Sequence, residues 1–414
     1  MKLNKKILCM AVSCLLSAPL VHADTSVGAY VNNDGWSVAT IDQFNADTAR
    51  NAANVNIFST FSSDWDYLSQ PASNIVSRDA VPLITWMPYE SASASTDVLL
   101  AISSGERDAY IDNWIEGFIS WRNSYPADAQ PSIMLRFGHE FNGTWYPWGN
   151  KPEELKTAWR YLHDRFVAAG INDAVGWVWC ANNVDVDDYS DISQYYPGDD
   201  YVDWLSLDGY NWGSNYSFTS WKSFDETFSQ QYVKMVTLAP SKPVMLAEVS
   251  STEPHDVPDA TWNQDGDDSD MAESKEAWVT DMMQSIESNY PAIKSIVWFN
   301  TNKELSWGLN LDGNTGLSAY NNAVSGNYFG GPLAIKSAAP EAPVVVEDTS
   351  KGRKNKGKTT AKTSLDIKLT GIENALSRVP AVVGQKLLAR EAEGIRQMSK
   401  ENLQSWRLNR LLDQ

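Results

Sequence analysis

The stretch "SIMLRFGHEFNGTWYPWGNKPEELKTAWRYLHDRFVAAGINDAVGWVWCANN", Ser132 to Asn183, holds the unit from which the fold can be read. It begins with a short apolar run and ends with another, "VGWVWCANN". Between them "PEELKTAWRYLHDRFVAAG" opens with Pro152, closes with Gly170 and sets Leu155, Trp159, Leu162 and Phe166 in helical register. Proline is pre-organised for a first helical turn and glycine accepts the left-handed stop, so the middle reads as a helix. The flanks read as strands buried on both faces, which run continuously apolar instead of alternating.

The alternation recurs along the chain. Strand-like runs lie near residues 26, 55, 81, 132, 175, 203, 243 and 295, which makes eight. Amphipathic helical patterns separate them, such as "DAYIDNWIEGFISW" with Ile111, Trp114, Ile115 and Phe118 on one face. Eight such pairs point to an α/β fold, a (β/α)8 TIM barrel, with a doubly wound open sheet as the alternative. The barrel reading places chemistry where strands end and loops begin.

The organisation around that barrel follows from composition. Lys2, Lys5 and Lys6 precede an apolar run from Ile7 to Leu20 that is too short to span a bilayer, and Ala23 suits a cleavage site. Residues 1–23 are therefore expected to be a signal peptide, which implies a secreted or periplasmic protein. Cleavage leaves Cys180 as the sole cysteine, so no intramolecular disulfide is available. Residues 24–330 are expected to form one catalytic domain, 331–363 a Pro/Ala-rich and then basic linker, and 364–414 an amphipathic helical tail.

The formal charge is −19, but it is unevenly spread: three lysines lead the chain, and the part from Gly331 has 15 Lys/Arg against 9 Asp/Glu, leaving −28 between. An acidic body repels nucleic acid and anionic surfaces, so a neutral substrate is expected. Seventeen of the 18 tryptophans fall in that body. So many flat rings suggest sugar binding, because pyranose faces stack on aromatic planes. The basic tail is expected to attach to something anionic, such as an envelope surface, and the protein to be a monomer.

Several polar residues stand at strand ends: Glu140 after the fourth run, Asn182 and Asn183 after the fifth, Asp208 and Tyr210 in the sixth, Glu248 in the seventh, and Trp298 late in the eighth. Two carboxylates at matching depths across a barrel mouth are what acid/base cleavage of a glycosidic bond requires. Glu140, beside Phe141 and shielded by Trp145, should be desolvated and protonated; Glu248 should stay ionised, held by Tyr210 and Arg136. Arg136 can equally be read as the partner of a buried carboxylate inside the barrel.

"RFGHEFNGTWYPWG", "LSLDGYNWG" and "LAEVSS" together resemble the strand-four, strand-six and strand-seven segments of glycoside hydrolase family 26, over a run from about Ser26 to Tyr328. The resemblance implies a retaining mechanism with Glu140 as acid/base and Glu248 as nucleophile. It implies that His139 binds the sugar at the cleavage subsite, that Tyr210 orients Glu248, and that Trp145 and Trp298 wall the substrate; Asn142 and Trp148 join the expected binding set. Phe141 replaces a methionine usual in the family, and Tyr146 and Pro147 stand where mannan-cleaving members carry other aromatics. β-1,4-Mannan is the leading substrate, with mixed-linkage β-1,3-1,4-glucan or an exopolysaccharide as alternatives. An inactive carbohydrate-binding barrel is the alternative of another class.

No cofactor or metal is expected. The acidic run from Asn263 to Ser274 lacks EF-hand spacing, His163 and His255 show no zinc-ligand spacing, and Cys180 reads as a small buried hydrophobe.

Overall fold

The computed structural model describes residues 24–89, 97–186, 191–216, 219–254 and 273–336. The expected leader, His255, most of the acidic run from Asn263 and the basic tail lie outside the described residues. No helix among the described residues is long and apolar enough to cross a membrane.

Eight parallel strands close on themselves in sequence order, as the alternation predicts. They are β1 (Ser26–Val31), β2 (Asn54–Thr60), β3 (Val81–Met87), β4 (Ile133–Phe137), β5 (Val175–Asn182), β6 (Trp204–Asn211), β7 (Val244–Ser251) and β8 (Ile293–Asn300). The barrel closes through β1 and β8, with Ser26 opposite Ser295 and Val31 opposite Asn300. Helices α1 (Val38–Asp47) and α2 (Trp65–Val76) follow β1 and β2, and both α3 (Val98–Ser103) and α4 (Asp108–Asn123) follow β3. Then come α5 (Pro152–Ala168), α6 (Phe224–Leu238), α7 (Lys275–Asn289) and α8 (Leu317–Val324). The regular alternation fails once, because β5 and β6 are joined among the described residues by two short 3-10 turns in place of an α-helix.

Helix α5 shows how sequence sets an element. Pro152 opens it, and it ends where Gly170 takes φ +70°, the left-handed stop that a side chain would strain. Its buried side chains are Leu155, Ala158, Trp159, Leu162, His163 and Phe166, one stripe against β4 and β5. Each large apolar side chain so buried contributes about 1.5–3 kcal/mol.

Outside an irregularity in β7, period-two alternation divides the strands between two cores. Val27, Ala29, Ile84, Leu135, Trp177, Trp179 and Leu246 point outward to the helices, while Leu83, Met134, Val178, Cys180, Met245, Ala247 and Val297 fill the barrel. The barrel's packing also continues past the expected domain boundary at 330. Leu333 and Ile335 pack against the interior cluster, and Trp204 Nε1 donates to the Ala334 carbonyl at 3.0 Å. Lys336 then pairs with Asp203 at 2.9 Å, so the first residues assigned to a linker close the end of the barrel where the strands begin.

Candidate active site

Above that apolar plug the interior becomes charged. Arg136, on β4, is fully buried, and its donors are all spoken for: Nε and Nη2 reach Thr85 Oγ1 at 2.8 and 2.6 Å, and Nη1 reaches both Asp208 oxygens at 2.7 Å. Nη2 also donates to Glu248 Oε1 at 2.5 Å. A planar fork can serve three acceptors in fixed directions, which a lysine ammonium could not reproduce. Both readings of Arg136 therefore hold, since it pairs a buried aspartate and holds Glu248.

Glu248 faces the mouth because β7 is irregular. Met245 and Ala247 both fill the barrel, yet Glu248, the next residue, also points inward, while Leu246 and Val249 face the helices. Across the neighbouring strand Leu207 stands opposite Leu246 and Asp208 opposite Glu248, leaving Ala247 as an extra residue. Such a bulge resets the side-chain phase and re-aims the next side chain. The second Glu248 oxygen accepts from the Tyr210 hydroxyl.

Glu140 is set by strain instead. β4 ends at Phe137, earlier than its apolar run suggests, and the chain turns through Gly138 at φ +52° and Glu140 at φ +53°. A left-handed glutamate is unusual, and the Glu140 amide is tied to the Cys180 carbonyl at 2.9 Å. Its Oε1 accepts from Asn182 Nδ2 at 2.8 Å and its Oε2 from Trp145 Nε1 at 2.6 Å. Burial, reinforced by the charge of Glu248, pushes its pKa up to about 7 against the opposing pull of Asn182, Trp145 and Arg136. The two carboxyls thus share a site but differ in partners: neutral donors hold one, a cation the other.

His139 is buried among the rings of Phe58, Tyr146 and Trp148, and burial, with Arg136 nearby, holds it well below the usual imidazole range and so neutral. Its Nδ1 is buried without a protein partner. His139, Asp208 and Glu248 present ligand atoms within 4.8 Å of one another, but the Arg136 guanidinium already supplies the cation between the two carboxylates.

Three expected binding residues do not reach the cleft. Trp298 is fully buried and packs outward toward Tyr320 of α8, because Val297 and Phe299 on either side take the inward phase. Trp148 is sealed beneath Tyr146, stacked at 4.4 Å, with Nε1 donating to the His139 carbonyl at 2.8 Å. Asn142 is fully buried, its Nδ2 donating to Asn182 O, Val184 O and Asp185 Oδ1 and its Oδ1 accepting from the Asn182 amide. It acts on Asn182, which in turn holds Glu140, and its complete burial keeps it from a sugar. Trp145, by contrast, is 48% exposed beside Glu140.

Apart from Tyr210, sequence reading missed the aromatic floor. Tyr30, Phe58, Tyr210, Trp212 and Tyr216 pack against Phe299, Leu305 and Trp307, with Trp307 5.1 Å from Tyr210. Ser250 Oγ holds the Trp307 carbonyl at 2.7 Å. Trp307 lies after β8 in a loop with no periodic signal, and only inward parity at Phe299 could have pointed to that side of the barrel.

A sequence profile of glycosyl hydrolase family 26 matches residues 33–279. The chain is 30% identical over 311 residues to endoglucanase H of Acetivibrio thermocellus, covering 73% of this chain and 31% of that protein. It is 31% identical over 166 residues to a mannan endo-1,4-beta-mannosidase of Thermothelomyces thermophilus, covering 39% of this chain and 30% of that one. The chain thus spans less than a third of either relative's length. Among solved structures, the catalytic domain of an endo-beta-1,4-mannanase from Bacillus sp. JAMB-750 has the same fold, with a TM-score of 0.56 at 16% identity over 75% of this chain and 88% of that one.

Proposed function

The chain belongs to glycosyl hydrolase family 26, and from that premise we propose that it is an endo-β-glycanase that cleaves a neutral polysaccharide by double displacement, with net retention. The observation that carries the reading is the unequal pair at the mouth: Glu140 with a pKa near 7 and no cation bonded to it, Glu248 bonded to Arg136 and Tyr210. Glu140 donates its proton to the glycosidic oxygen as Glu248 attacks the anomeric carbon, and the C–O bond to the leaving sugar breaks. The product of that step is an ester of Glu248 with the sugar. Ester formation removes the Glu248 charge, which is the second largest cause of the raised Glu140 pKa, so that pKa falls and Glu140 stays ionised, the form in which it can take a proton from water. Water opens the ester, Glu140 regains its proton, and the sugar keeps its β configuration. The acid form of Glu140 is lost as pH rises through about 7, so turnover of natural substrate falls on that side.

β-1,4-Mannan is the first substrate reading, supported by the mannan-cleaving names among the relatives. A β-glucan is the second, favoured by the endoglucanase relative, whose match covers 73% of this chain. Product analysis on mannan, glucomannan, mixed-linkage glucan and β-1,3-xylan tests both readings: oligosaccharides from any of the four support glycanase action, those from mannan or from mixed-linkage glucan choose between the two readings, and no product from any of the four contradicts the proposal. Export to the extracytoplasmic space through residues 1–23, and attachment of the basic tail to an anionic surface, complete the proposal.

A further inference from the structure

A buried cation other than Arg136 stands at the same end of the barrel. Lys275 is the first residue of α7 and is 1% exposed. A cation in the first turn of a helix opposes the macrodipole, and an ammonium taken out of water loses its hydration. Stability alone would not choose lysine there. Its Nζ donates to three oxygens: the Ser306 carbonyl at 2.7 Å, the Gly308 carbonyl at 2.5 Å and Asn314 Oδ1 at 3.0 Å. The Asn314 amide is oriented by its other end, whose Nδ2 faces Asn302 Oδ1 and the Leu311 and Asp312 carbonyls. All three of these partners are acceptors, and only the protonated amine carries three N–H groups to meet them.

What the ammonium holds is the backbone on either side of Trp307. The carbonyl between, that of Trp307 itself, accepts from Ser250 Oγ of β7 at 2.7 Å and from Trp298 Nε1 of β8 at 3.0 Å. Three consecutive carbonyls of one loop are therefore fixed, the outer two by α7 and the middle one by the barrel. The indole N–H takes no part, since Trp307 Nε1 is buried and meets no hydrogen-bond partner among the described residues. Backbone and packing alone place the ring. It lies 5.1 Å from Tyr210 and 5.0 Å from Trp212, while Phe299 meets Tyr210 edge-on at 5.5 Å. Tyr210, flanked by Phe299 and Trp307, donates its hydroxyl to Glu248 Oε2. Phe299 belongs to a strand and Trp307 to a loop, so the flank that needs anchoring is the one Lys275 grips.

We propose that Lys275 is a positioning residue for the attack by Glu248, an inference that rests on the reading of that carboxylate as the nucleophile. Its ammonium sets Trp307 against Tyr210, and Tyr210 so placed keeps its hydroxyl on the attacking carboxylate. Lys275 touches no reacting atom. It acts through two rings and one hydrogen bond, and the cost of burying its charge is met by a site that is ordered before substrate arrives.

The test is a double-mutant cycle of Lys275→Met and Tyr210→Phe in the full chain, on the polysaccharide the wild type cleaves fastest. Methionine fills a similar space without donors. Lys275→Met should lower kcat by roughly 10-fold or more with KM close to that of the wild type, together with some loss of melting temperature. On the Tyr210→Phe background, where the bond to Glu248 is already gone, the same change should cost little further kcat. A lower melting temperature with kcat unchanged overturns the inference and marks Lys275 as a loop staple; so does a loss of kcat that persists in full on the Tyr210→Phe background. Should Lys275→Met not fold, Ser250→Ala, which frees the carbonyl between the two that Lys275 holds, takes its place in the cycle: non-additivity with Tyr210→Phe supports the route through Trp307, and additivity overturns it. A wild type that cleaves none of the panel, or a Glu248→Ala variant that still turns over, sinks the catalytic reading itself and this inference with it, whereas additive losses in an active enzyme sink the inference alone.

Discussion

The two ends of the barrel are built on opposite terms. Where the strands begin, Leu83, Met134, Val178, Met245 and Val297 pack with Leu333 and Ile335 into an apolar plug. Where they end, Arg136, Asp208, Glu140 and Glu248 crowd together with little exposure to water. Backbone strain follows the same division. Of the non-glycine residues with left-handed backbone among those described, Asn33, Asp34, Glu140 and Asn150 lie in loops leaving strand ends, and only Asp79 precedes a strand. The plug supplies stability that the mouth gives up to hold its groups in place, a division expected when one face of a barrel carries chemistry and the other carries the fold.

The largest effect that sharpens this contrast comes from two positions three residues apart on β7. Glu248→Ala should lower turnover by roughly 10³-fold or more, with the fold retained because Asp208 still neutralises Arg136. Met245→Ala should do the reverse, costing about 2–5 kcal/mol of stability with kcat close to that of the wild type. Denaturant unfolding and kinetics on both variants check it, and a Met245→Ala enzyme that is stable but slow would break the contrast.

A smaller effect has a telling sign. Glu140 has a raised pKa in the folded state, so its stabilising proton is fully present below the unfolded value of 4.5 and lost as pH rises through about 7. Above pH 7 the fold therefore carries a buried charge that Glu140→Gln removes. That variant should be nearly inactive on polysaccharide yet more stable than the wild type by up to about 3 kcal/mol above pH 7, the gain fading toward pH 4.5. Melting curves across that range decide it; a constant difference would remove Glu140 from the role.

The smallest expected effect is at Trp145. Its indole lowers the Glu140 pKa by donating to it, and its side chain is half exposed. Trp145→Phe should shift the alkaline limb of the pH profile upward and leave the melting temperature nearly unchanged. A profile that moves to lower pH would contradict the assigned bond.

Much of this was legible in the sequence, and the gaps have physical causes. Strand order, the α5 caps and both carboxylates could be read because each rests on local spacing. The facing of Trp298 could not, since "SIVWFNT" is apolar on both phases and only the packed barrel chooses one. The β7 bulge was equally hidden, because "PVMLAEVSS" places Glu248 at a strand end without revealing that regular alternation would turn it outward. Asn142 looked like a sugar ligand by its place beside Glu140, but its hydrogen bonds go to a loop some 40 residues on. Residues that act through contacts distant in sequence, including Trp307 and Thr85, leave no periodic mark.

The central claim is that Glu248 attacks the anomeric carbon while Glu140 supplies the proton. Proton NMR of the anomer formed in the first minutes after mixing enzyme with the polysaccharide it cleaves, before mutarotation mixes the forms, tests it most directly. The β-anomer should appear first, since two displacements restore the starting configuration. The α-anomer appearing first would contradict it, because a single displacement by water would make Glu248 a base and not a nucleophile.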